Sequence, residues 1–61
     1  MDLREKFLKT YANIPIQLRD DVILVLDKYG PISWSVAYLE IRNNTKLGEV
    51  ILKELKELNL I

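Results

Sequence analysis

Four carboxylates, Asp20, Asp21, Asp27 and Glu40, are the raw material for a Mg²⁺ site or an acid–base pair. Neighbouring positions on a helix point about 100° apart, so Asp20 and Asp21 do not converge on one ion unaided. Their expected role is that of N-terminal helix charges on a solvated face. The hydroxyls of Thr10, Ser33, Ser35 and Thr45 would need a base to become nucleophiles, and the chain contains no His and no Cys. The same absence removes zinc ligands. Ser33 and Thr45 each stand before an apolar-periodic run, where a hydroxyl caps a helix, and Gly30 and Gly48 are too scattered to cradle a phosphate. Neither an enzyme nor a cofactor is expected.

One cluster of donors remains. Arg42-Asn43-Asn44-Thr45-Lys46 forms a polar run, with Glu49 and Lys53 following at helical spacing. Arg and Asn side chains and a helix N-terminus all donate hydrogen bonds to anionic oxygens, so this stretch is the candidate contact for a nucleic-acid backbone.

The elements that must position it are short. A chain of 61 residues makes one domain (1–61), and a domain of that size buries only about 60% of the surface its unfolded chain exposes. Without disulfides or metals, self-association or docking on a partner is the remaining supplement. Apolar residues make up 49% and charged residues 30%, a composition that folds. Nine cations balance nine anions, so no global field draws the chain onto phosphates or anionic lipid. With no signal-like start and no apolar run of spanning length, no membrane contact is expected and the cytoplasm is the default location.

The expected fold is all α. Asp2 and Glu5 open a first helix over 3–12, with Leu3, Phe7 and Tyr11 at four-residue spacing. Asn13-Ile14-Pro15 makes a corner. A second helix is expected over 15–29, with Leu18, Val22, Val25, Leu26 and Tyr29 on one face, ending at Gly30-Pro31. The branched run Val22-Ile23-Leu24-Val25-Leu26 also suits a buried strand; the length of the pattern without a turn signal favours helix. Ser33 caps a third helix reaching about Arg42, with Trp34, Ala37, Tyr38 and Ile41 at i, i+3, i+4, i+7. Asn43-Asn44-Thr45 turns the chain into a fourth helix over 45–58, which Asn59 ends in a left-handed conformation. The common core is expected from Leu18, Val22, Leu26, Ala37, Ile41, Leu47, Ile51 and Leu55.

Gly30-Pro31-Ile32-Ser33 before a short helix, Ala37 and Leu39 within it, Asn44-Thr45 at the turn, then Val50, Leu52, Leu55 and Asn59-Leu60-Ile61 resemble the helix-turn-helix half of winged-helix proteins. The resemblance, counting the helix expected in front, covers about three quarters of the chain. It implies a three-helix core preceded by an extra N-terminal helix, without a wing, and a transcription-regulator-like function in binding DNA. The helix from Thr45 onward would then be the recognition helix, with Thr45, Lys46, Glu49 and Lys53 outward and Arg42, Asn43 and Asn44 on phosphates. Lys46, Lys53 and Lys56 are balanced on it by Glu49, Glu54 and Glu57, which keeps open a second reading: a winged-helix-like module that docks on a protein partner or a subunit of a complex, or pairs as a homodimer. Trp34 and Tyr38 are the aromatic residues to examine for such a contact, the alternative being that they line the core.

Overall fold

The computed structural model describes residues 2–61. In chain order they form helix α1 (Leu3–Ala12), a single 3-10 turn (Ile16–Leu18), strands β1 (Val22–Leu26) and β2 (Gly30–Ser33), and helices α2 (Trp34–Arg42) and α3 (Lys46–Glu57). The fold is therefore mixed α/β, and the expectation of an all-α domain is corrected. Three of the four expected helices are present close to their expected bounds. The fourth, over 15–29, is replaced by the 3-10 turn and an antiparallel hairpin.

The hairpin forms because Val22, Ile23 and Val25 are branched at Cβ, which suits a pleated strand better than a helix. Asp27-Lys28-Tyr29 makes the turn, and Gly30 leaves it at φ 81°, a left-handed conformation that costs glycine little. The register is Val22 opposite Ser33, Leu24 opposite Ile32, Val25 opposite Pro31 and Leu26 opposite Gly30, with an irregularity between Val22 and Leu24. Leu24 and Ile32, at 8% and 2% exposure, form a cross-strand pair against the core, while Val25 on the other face is 69% exposed. Helical periodicity groups Leu18, Val22 and Leu26 on one face; a strand sends alternate side chains to opposite faces instead. Leu18, in the 3-10 turn, is 46% exposed; Val22 has the parity of Leu24, but the irregularity between them breaks the alternation and Val22 is 56% exposed, while Leu26, two residues beyond Leu24 at the end of the strand, is half-buried.

Hydrogen bonds fix the hairpin's base to α2. The first backbone N–H groups of a helix have no partner within it. Here Trp34 N–H donates to the Asp21 carbonyl at 3.3 Å and Ser35 N–H to the Arg19 carbonyl at 2.9 Å. The Ser35 hydroxyl also donates to Arg19 at 3.1 Å, and Ser33 Oγ accepts from Val36 N–H at 3.2 Å, the capping role its sequence position implies. Asp20 and Asp21 thus flank the entry to β1 and do not begin a helix.

All three helices and both strands feed one core. Ala37, Ile41, Ile51 and Leu55 are buried as expected, joined by Phe7, Leu24 and Ile32. Leu47 packs against this cluster but stays half-buried, and Trp34 and Tyr38 do the same. Phe7 and Trp34 meet with ring centroids 6.0 Å apart, tying α1 to the start of α2.

Candidate nucleic-acid interface

The candidate residues sit where α2 gives way to α3, and that corner is locked from several sides. Asn44 takes φ 56°, and Thr45 N–H reaches back to the Glu40 carbonyl at 3.2 Å while Asn44 N–H reaches Ile41 at 3.2 Å. This pair of bonds is the Schellman arrangement, with Asn in the left-handed position usually given to Gly. Asn59 repeats it after α3 at φ 59°, with Leu60 N–H to Leu55 at 2.9 Å and Asn59 N–H to Lys56 at 3.0 Å.

Thr45 then opens α3. Its Oγ1 accepts from Gly48 N–H at 3.0 Å and donates to the Glu40 carboxylate at 2.7 Å. Gly48 explains itself here: a Cβ on it would lie 2.5 Å from the Glu40 carbonyl oxygen and 3.0 Å from Ile41 Cα. The first turn of α3 therefore lies against the backbone of α2, and glycine's low helix propensity is the cost of that approach.

The structure brings together Arg42, Asn43, Asn44 and Lys46, all exposed, within one turn and its two flanking helix ends. The Arg42 guanidinium lies 6.0 Å from the Tyr38 ring centroid. Thr45 is among them in sequence, but its hydroxyl is already committed in both directions, so its role is to hold the turn. Glu49 and Lys53 are exposed further along α3, where they line an open groove of about 480 Å³ together with Leu3, Leu52, Lys56 and Glu57. They form a separate flank whose floor is apolar and whose rim carries both signs of charge.

Arg4 belongs to the corner although sequence reasoning did not find it. From α1 its Nε donates to the Ile41 carbonyl at 3.3 Å and its Nη2 to the Arg42 carbonyl at 3.2 Å, placing a positive charge on the carbonyl end of α2. Nothing local marks it, since its acceptors lie almost forty residues away in the chain. A second long-range feature adjoins it: the Arg19 guanidinium stacks 4.6 Å from the Tyr11 centroid, and Tyr11 stacks on Tyr38 at 4.4 Å with 14° between the planes. With Arg42 at the far end, two guanidiniums bracket two stacked phenols, a clamp between α1, the turn before β1, and α2.

Among the described residues no group of three or more His, Cys, Asp or Glu side chains gathers to hold a metal ion, and no helix is long and apolar enough to cross a membrane. Compared with protein-family models, curated proteins and solved structures, the chain matches none of them.

Proposed function

We propose that the protein binds nucleic acid through the α2–α3 corner, using α2, the turn and α3 in the manner of a helix-turn-helix. The observation that carries this reading is the exposure of Arg42, Asn43, Asn44 and Lys46 on a turn whose own hydrogen bonds are internally satisfied. A rigid turn offers its side-chain donors without first losing conformational freedom. Arg42 and Lys46 contact phosphates, the two Asn amides add neutral donors, and Arg4 contributes to the local potential. Glu49 and Lys53 lie on the flank of α3 that would follow a groove.

Few cations are available, so binding is weak and its salt dependence is shallow, set by about two phosphate contacts. In duplex DNA each neutralised phosphate contributes about −0.9 to the slope of log K against log salt. The test is a fluorescence-anisotropy titration of a labelled duplex across a salt series, with Arg42→Ala/Lys46→Ala beside the parent. The double variant should bind less tightly with a slope flatter by about two contacts' worth. Equal slopes, or no binding by the parent at low salt, would defeat the reading.

A docking role on protein is the second reading, and one observation favours it: Ile16, Leu18, Val22 and Val25 are all exposed along the hairpin and the turn leading to it. Isolated apolar residues on a surface need no explanation, but a strand that carries them beside unpaired backbone groups does.

A further inference from the structure

The guanidiniums of Arg19 and Arg42 stand at the two ends of one aromatic column, and they are held differently. Arg42, in the last turn of α2, is exposed and lies 6.0 Å from the Tyr38 centroid. Arg19 is fixed on three sides. Its Nε donates to the Ile14 carbonyl at 3.2 Å, and its guanidinium lies 4.6 Å from the Tyr11 centroid. Its own carbonyl accepts both the N–H and the hydroxyl of Ser35, in the first turn of α2. Tyr11 stacks in turn on Tyr38 at 4.4 Å and on the fully buried Phe7 at 6.1 Å, so the ring under Arg19 is anchored in the core.

The outer fork of that guanidinium is left over. Only Nε of Arg19 donates a hydrogen bond among the described residues; its Nη atoms have no partner, and the adjoining carboxylates of Asp20 and Asp21 form no hydrogen bond with it. Arginine presents its donors in a planar fork that matches two oxygens of a phosphate. With Nε tied and the plane resting on a ring, the side chain has already lost much of its rotamer freedom, so an incoming anion does not have to order it. A cation without a carboxylate partner is also the kind that releases counterions when a phosphate binds.

We propose that Arg19 is a further phosphate contact, additional to the two cations of the corner. The inference rests on nucleic-acid binding by the α2–α3 corner and extends that interface along the column, from the last turn of α2 to its first. Two ring stacks separate Arg19 from Arg42, so the two guanidiniums meet different phosphates.

The labelled duplex, titrated across the salt series with Arg19→Gln and Arg19→Lys beside the parent, tests this. Arg19→Gln should bind about tenfold less tightly at about 50 mM salt and flatten the slope by about 0.9, the loss fading as salt rises. Arg19→Lys keeps the charge and should keep the parent's slope. An Arg19→Gln variant with the parent's circular dichroism and the parent's slope overturns the proposal, and the corner reading survives if Arg42→Ala/Lys46→Ala still flattens it. The opposite pattern keeps Arg19 as a contact and removes the corner. If Arg19→Gln fails to fold, the parent decides: duplex should shift the Arg19 side-chain Nε–H resonance. That resonance unmoved while the Arg42 amide moves overturns the proposal.

Discussion

At the α2–α3 corner the helix ends find partners inside the chain: Thr45 caps α3, Asn44 closes α2, and Arg4 binds two of the carbonyls at its end. Along β1 the situation is reversed, since among the described residues one edge of the strand has no partner, and apolar side chains face outward beside it. The corner spends its hydrogen bonds on rigidity and shows charged and amide side chains to solvent. The hairpin is a surface left open. A small domain with neither disulfide nor metal has little core to spare, so an unpaired apolar edge of this kind is itself a physical argument for a contact.

The comparison breaks hardest where the two regions share a core. Leu55→Ala and Leu24→Ala each remove a buried side chain and should cost roughly 2 to 5 kcal/mol, enough in a domain this small to abolish a cooperative thermal transition followed by circular dichroism. Leu26→Ala, at a half-buried position, should cost clearly less. If Leu24→Ala melted like the parent, the hairpin would not be part of the core.

Gly48→Ala attacks the corner alone. The added methyl meets the Glu40 backbone, and overpacking of about 1 to 3 kcal/mol outweighs the gain of about 1 kcal/mol in helix propensity. A variant more stable than the parent would mean that α2 and α3 are not in backbone contact. Thr45→Ala is milder, with loss of the cap costing about 1 kcal/mol by denaturant titration. The smallest effect on stability falls on the open surface: Val25→Lys, at a side chain 69% exposed, should change it by no more than about 0.5 kcal/mol.

The corner was the more legible region. Capping hydroxyls and left-handed Asn residues act over three or four positions, so Ser33, Thr45 and Asn59 declare themselves locally, and α1, α2 and α3 follow from their stripes. The hairpin was not, because a run apolar at every position carries no period of its own. Val22 to Leu26 satisfies a helix and a strand alike, and the choice is made by the turn at Asp27 to Gly30 and by the bonds from Trp34 and Ser35 to the chain before β1. Assigning that run to a helix displaced Leu18 and Val22 into the core and hid Leu24 and Ile32. Arg4 and the stacked pair of Tyr11 and Tyr38 were invisible for a different reason: their partners lie on other elements, and only the folded chain brings them together.

The central claim, that the α2–α3 corner and not the hairpin is the nucleic-acid contact, is tested most directly by amide chemical shifts of the ¹⁵N-labelled protein. Adding a duplex at low salt should move the amides of Arg42 to Lys46 and leave those of Ile23 to Leu26 in place. Shifts in β1 on adding duplex with the corner unmoved, or no response to duplex at all, would contradict the account.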